Sequence, residues 1–117
     1  TWEPGIELSP SISPDGSSFL YQSTEWSGNS DIFLRRVGGE SAIILTKGCT
    51  DFDGEPAYSP NGQSIAFRSD RDGGGIFVMG ATGESVRRLT GFGHFPSWSP
   101  DGKSIASGSR RDSAREP

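Results

Sequence analysis

Cysteine, histidine and methionine each occur once in the 117-residue sequence, as Cys49, His94 and Met79. One cysteine cannot close an intrachain disulfide, so a disulfide scaffold is excluded, although the compartment is left open. A single histidine and a single cysteine also argue against a zinc centre. No apolar run approaches the about 20 residues a helix needs to cross a bilayer. The first residues lack the basic, apolar and small-residue order of a secretory leader. The sequence opens at Thr1, from which a processed chain or an excised piece is expected. The formal net charge is −4 and no basic stripe stands clear of acidic neighbours, so neither nucleic acid nor membrane insertion is expected. Hydrophobic residues are scarce at 31%, against 17 glycines and 8 prolines. The apolar residues recur with a period instead of scattering, which favours short strands between turns over disorder.

What the sequence has is a repeat. Trp98-Ser99-Pro100-Asp101-Gly102-Lys103-Ser104-Ile105-Ala106 has a counterpart in Tyr58-Ser59-Pro60-Asn61-Gly62-Gln63-Ser64-Ile65-Ala66, and a looser one in Ile12-Ser13-Pro14-Asp15-Gly16-Ser17-Ser18-Phe19-Leu20. Proline pre-sets the first central position of a turn, Asp or Asn takes the second, and glycine supplies the positive φ that closes a hairpin. A type I turn with a glycine bulge is expected at each copy. Serine close to aspartate, in a turn frame that recurs three times and carries Asn61 in its middle copy, is turn chemistry, not a catalytic pair.

The strands follow from the turns. First strands are expected at 11–13, 57–59 and 97–99, each just after a proline (Pro10, Pro56, Pro96) that need not donate to a ladder. Second strands are expected at 18–22, 64–68 and 104–108. Third strands at 31–35 and 75–79 carry the triplets Ile32-Phe33-Leu34 and Ile76-Phe77-Val78, as suits strands covered on both faces. Fourth strands are expected at 42–46 and 85–90, and no segment has a sustained helical period. The unit is a four-stranded antiparallel meander of about forty residues, the signature of a β-propeller blade.

"FPSWSPDGKSIA", "SDRDGGGIFVM" and "GESVRRLT" together resemble the WD-like propeller repeat of the TolB family. The resemblance runs from Pro10 to about Asp112. The first unit departs from it, with Ile12 in the aromatic place and residues 24–31 replacing the Ser-Asp-Arg-Asp-Gly loop. The expected fold is all-β: blade 1 over about 10–46, blade 2 over about 56–90, half a blade over 96–108, and a tail over 109–117. Two and a half blades leave apolar sheet faces unpaired. Either the chain is a fragment of a longer propeller or a homo-oligomer completes the ring, with the half-blade pairing against another copy.

In a propeller the loops alternate between two ends. The Ser-Pro-(Asp/Asn)-Gly turns share one end. The longer, more variable connections, 23–30, 47–55, 70–74 and 91–95, share the other, where binding residues tend to ride. The candidate partner-binding residues there are Trp26, Asp31, Asp51, Phe52, Asp53, Asp70, Arg71, Asp72, Phe92 and His94. Aromatics with arginine suit protein recognition; the plainer alternative is that Trp26, Phe52 and Phe92 plug loops against neighbouring blades. Asp51-Phe52-Asp53-Gly54 and Asp70-Arg71-Asp72-Gly73 start like calcium loops but lack the further oxygen ligands. His94 has no Gly-x-Ser-x-Gly partner motif, and Gly73-Gly74-Gly75 has no phosphate-loop frame. No catalytic residue, metal or cofactor is therefore expected.

The resemblance to TolB implies a non-enzymatic module that binds a protein or peptide, in the bacterial periplasm if the chain is like TolB itself and otherwise in the cytoplasm. Similar repeats in bacterial sensor proteins, and in serine peptidases that use propellers as substrate gates, imply the alternative: a propeller fragment of a larger peptidase or sensor.

Overall fold

A computed structural model describes residues 8–24, 29–48 and 50–108. Ten strands lie in chain order: β1 (Leu8–Ile12), β2 (Ser18–Ser23), β3 (Asp31–Arg36), β4 (Ala42–Ile44), β5 (Asp53–Tyr58), β6 (Ser64–Ser69), β7 (Gly75–Gly80), β8 (Arg87–Thr90), β9 (His94–Trp98) and β10 (Ile105–Gly108). They form antiparallel sheets ordered β1-β2-β3-β4 and β5-β6-β7-β8, with β9 and β10 as a two-stranded third. This is the all-β propeller architecture, two four-stranded blades followed by two strands of another.

Each hairpin between first and second strands closes as its residues dictate. The amide of Gly16, Gly62 or Gly102 donates to the carbonyl of Ser13, Ser59 or Ser99, 2.9 Å in every case. Those glycines have φ of +76°, +75° and +75°, the left-handed geometry that a side chain resists. The Asp or Asn side chain then locks the turn. Asp15 Oδ1 accepts from the Ser17 amide (2.9 Å) and the Ser13 hydroxyl (2.8 Å). Asn61 and Asp101 repeat the same pair of bonds.

The first strands begin earlier than the sequence suggests, and the prolines lie inside them. Leu8 faces Gln22 while Ser11 faces Leu20, so three steps on β1 match two on β2. The same extra residue sits between Gly54 and Ala57 on β5, and between His94 and Ser97 on β9. A bulge leaves one residue out of the ladder, which is why proline is tolerated within the strand. Glu55 and Phe95, the residues before Pro56 and Pro96, adopt φ of +53° and +51°. The fourth strands are shorter than expected. In the first blade Thr46 replaces ladder bonding with its side chain, its Oγ1 accepting from the Ile32 amide at 3.1 Å. In the second blade, Ser85 turns to φ +57° and β8 starts only at Arg87. A short 3-10 turn, Arg71–Gly73, occupies the β6–β7 connection where only loop was expected.

The core lies between the two complete blades. Leu20, Ile32, Ile65, Phe67, Phe77 and Met79 are buried together, with Leu34, Leu45 and Tyr58 packed at their margin. Each such large side chain contributes about 1.5–3 kcal/mol on full burial. The second apolar triplet, Ile76-Phe77-Val78, is buried throughout; in the first, Ile32 and Phe33 are buried and Leu34 is half-buried. Packing between sheets is repetitive: β5 lies against β1, β2 and β3, and β9 lies against β5, β6 and β7. The first strand of each sheet therefore faces its predecessor. The aromatic of the repeat frame helps to tie them, since Trp98 Nε1 donates to the Ala57 carbonyl at 3.0 Å.

Candidate functional site at the loop end

Asn29 and Ser30 of the β2–β3 connection, the β6–β7 connection and the described residues leading into β5 and β9 lie at the end opposite the glycine turns. Of the sequence-predicted residues, Trp26 lies outside the described residues. Asp31 and Asp53 are buried, at 2% and 0% exposure, so their side chains serve the interior. Asp31 Oδ1 accepts from the Thr46 hydroxyl at 3.1 Å. Asp53 Oδ1 accepts from Arg71 Nη2 at 3.0 Å. Arg71 also donates through Nε to Ser69 Oγ (3.0 Å), and its guanidinium lies over the rings of Phe67 (5.5 Å) and Phe77 (5.6 Å). The arginine of the Ser-Asp-Arg-Asp-Gly loop is thus an anchor, pinning the loop to the first strand of its own blade.

The remaining predicted residues face outward or line a cleft. Asp51 and Asp72 are exposed. The backbone carbonyl of Asp51 accepts from Asn29 Nδ2 at 3.1 Å, a cross-blade bond. Asp72 takes φ of +52°, and its carbonyl accepts from Arg88 Nη2. Asp70 pairs with Arg68, Nη2 to Oδ1 at 2.9 Å. Phe52, Glu55, Arg68, Asp70, His94 and Phe95 line an open cleft of about 360 Å³ between the second blade and the third sheet. Phe95 is 65% exposed, and Phe92, three residues before it in the chain, is 70% exposed.

Three residues of this cleft escape a reading of the sequence: Glu55, Arg68 and Phe95. Glu55 bridges the two sheets. Its Oε1 accepts from the Phe95 amide (2.5 Å) and its Oε2 lies 3.3 Å from His94 Nδ1. Arg68 Nη1 donates to the Gly93 carbonyl at 3.0 Å. The equivalent residue of the first blade, Gln22, also reaches the following sheet but as an acceptor, its Oε1 accepting from the Glu55 amide at 2.8 Å. Aligning the repeats would have exposed both signals. Gln22 and Arg68 share the last place of the expected second strand, and Glu55 and Phe95 both precede the repeat's proline.

The arrangement offers aromatic faces, an imidazole–carboxylate pair and a guanidinium–carboxylate pair. Such groups recognise a partner's side chains and backbone. Among the described residues, no three His, Cys, Asp or Glu side chains converge as a metal site would require. The carboxylates with depressed pKa lie at the other end. Hydrogen bonds from Ser17 and Ser13 hold Asp15 at about 2, and bonds from Ser99 and Lys103 lower Asp101. Glu84, in the β7–β8 turn, is lowered chiefly by Thr82.

Comparison with known proteins agrees with this architecture. Residues 1–116 match the family described as "TolB beta propeller domain". The crystal structure of TolB from Acinetobacter baumannii is 32% identical, with a TM-score of 0.79 over 92% of this chain and 27% of that one. A Dipeptidyl-peptidase 5 from Porphyromonas gingivalis is 35% identical over 71 residues, 54% of this chain and 10% of that protein. The chain therefore spans about a quarter of the length of that TolB and a tenth of that peptidase. The chain belongs to the TolB β-propeller domain family.

Proposed function

We propose that the chain is a non-enzymatic propeller module that binds a protein or peptide at its loop end. The observation that carries this reading is the exposure of two aromatics at this end, Phe95 (65%) lining a cleft that already holds polar groups and Phe92 (70%) in the connection leading to it. Large exposed aromatics cost solvation unless a partner covers them, and buried aromatic anchors dominate binding energy at protein interfaces. Phe52, Asp70 and His94 line the cleft, with Asp51 and Asp72 exposed at the same end. Asp31, Asp53 and Arg71 hold the loops that present them.

Peptides selected by display against the chain test the reading. Replacing Phe92 and Phe95 by alanine weakens their binding by roughly 30-fold or more, as loss of a hot spot of about 2 kcal/mol implies. Lys103→Glu, at the glycine turns, leaves binding unchanged. Binding lost in Lys103→Glu and kept in the double alanine variant would overturn the reading.

A second reading is favoured by the match to the dipeptidyl peptidase: the chain as the substrate-gating propeller of a larger peptidase. Sequencing the gene beyond Pro117 separates the two. A Gly-x-Ser-x-Gly elbow with a hydrolase domain supports the gate, and further blades alone support the binding module.

A further inference from the structure

The sequence holds two asparagines, Asn29 and Asn61, and the fold treats them differently. Asn29 is tied by its amide nitrogen: Nδ2 donates to the Thr50 and Asp51 carbonyls (2.5 and 3.1 Å), and the next residue is the buried Ser30. Asn61 is exposed in the β5–β6 turn and is held through its oxygen, Oδ1 accepting from Ser59 Oγ (2.8 Å) and the Gln63 amide (2.9 Å). Gly62 follows it at φ +75°, with no side chain to screen its nitrogen. Asparagine is a thermally labile residue, and Asn61 meets a glycine in an exposed turn.

The other two turns carry the acid that Asn61 would become. Asp15 and Asp101 stand in its place, and each accepts through Oδ1 from the serine two residues before it and the amide two residues after it. A carboxylate at position 61 therefore finds both of its donors in place.

We propose that Asn61 is a site of spontaneous deamidation, that opening of the turn paces the reaction, and that the turn retains the aspartate product. The Gly62 amide donates to the Ser59 carbonyl at 2.9 Å. Once that bond opens, the Gly62 nitrogen can reach Asn61 Cγ, its close neighbour along the chain. The N–Cγ bond forms as the nitrogen gives up its proton. The Cγ–Nδ2 bond breaks, and that proton leaves with the amide nitrogen as ammonia. Water then opens the cyclic imide. Opening at Cγ restores the backbone with aspartate at position 61, which keeps the bonds of the turn. Opening at the main-chain carbonyl carbon routes the backbone through the side chain, which moves Gly62 away from Ser59 and undoes the turn. The aspartate product also adds a carboxylate, beside that of Asp15, to a groove of about 390 Å³ between the first two blades whose cationic lining residue is Arg36.

Incubating the 117-residue chain in heavy-oxygen water at mildly alkaline pH, followed by peptide mass mapping, reads the reaction. The expected result is conversion with heavy-oxygen uptake at Asn61 and none at Asn29 over the same time. Guanidinium chloride should speed conversion at Asn61 by at least about tenfold, because an unfolded turn has no opening to wait for. Pro60→Ala frees the backbone ahead of Asn61, and should speed conversion severalfold in buffer while leaving the rate in denaturant unaltered. Asn61→Asp should melt at the temperature of the parent chain at pH 7. An Asn61 that stays intact in the folded chain overturns the proposal, as does equal conversion at Asn29. Equal rates in buffer and denaturant, or no effect of Pro60→Ala in buffer, would show that the turn does not pace the reaction. A lowered melting temperature for Asn61→Asp would contradict retention of the product.

Discussion

The two ends of the blades are built on opposite plans. At the glycine-turn end three connections share one geometry to within a degree or so of φ and a tenth of an ångström in the closing bond. At the loop end the described connections differ: Arg71 anchors one to the buried Asp53, Asn29 bonds across to the Thr50 and Asp51 carbonyls in another, and Phe92 and Phe95 stand exposed on a third. The lesson is physical. A hairpin turn has few solutions, so the residues that supply them recur. A loop held at its base by one buried ion pair leaves its tip free to vary, and that is where recognition can be added without disturbing the sheet.

The comparison breaks most severely at the base of the loop end. Gly75 has φ of +141°, and a Cβ there would lie 1.9 Å from the Thr90 carbonyl oxygen. Gly75→Ala is expected to destabilise the fold by about 4 kcal/mol, combining overpacking against backbone with a strained φ. Chemical denaturation measures it. Next comes Arg71→Ala, which removes the guanidinium paired with the buried Asp53 carboxylate and is expected to cost about 3 kcal/mol. Asp53→Asn with Arg71 intact should cost less, because the guanidinium keeps an acceptor.

At the glycine turns the expected effects are smaller. Gly102→Ala forces a side chain to φ of +75° and should lower stability by about 1 kcal/mol. Smaller still is the contrast at the tips, where Phe92→Ala should change stability by no more than about 0.5 kcal/mol while binding falls. The last test uses protons. Asp15 titrates at about 2 when folded, against an ordinary 3.8. Between those values the unfolded chain binds more protons, so this turn supports the fold above pH 4 and loses its contribution as pH falls toward 2. Asn61 already fills the same place without a charge. Asp15→Asn should therefore change little at pH 7 and flatten the acid side of a stability profile, measured by thermal melts from pH 2 to 5.

The fold was largely legible because its information is local. Ser-Pro-Asp-Gly specifies a turn without reference to the rest of the chain, and Ile76-Phe77-Val78 announces a strand covered on both faces. The bulges were not legible. Glu55 and Phe95 are bulky residues ahead of proline, and nothing in their types asks for φ near +50°; the demand comes from the neighbouring sheet, through Gln22 and through Glu55 itself. The candidate site was half legible for the same reason. Phe52, Asp70, Phe92 and His94 could be placed at the loop end by topology. That Asp31 and Asp53 turn inward depends on Thr46 and Arg71, residues 15 and 18 positions away.

The central claim is that the glycine turns build the blade and the loop end binds. It is tested most directly by titrating the isotope-labelled chain with a display-selected peptide and following its amide resonances. The account predicts shifts at Phe52, Glu55, Phe92, His94 and Phe95, with Gly16, Gly62 and Gly102 unmoved. Shifts concentrated at those three glycines, with the cleft residues silent, would contradict it.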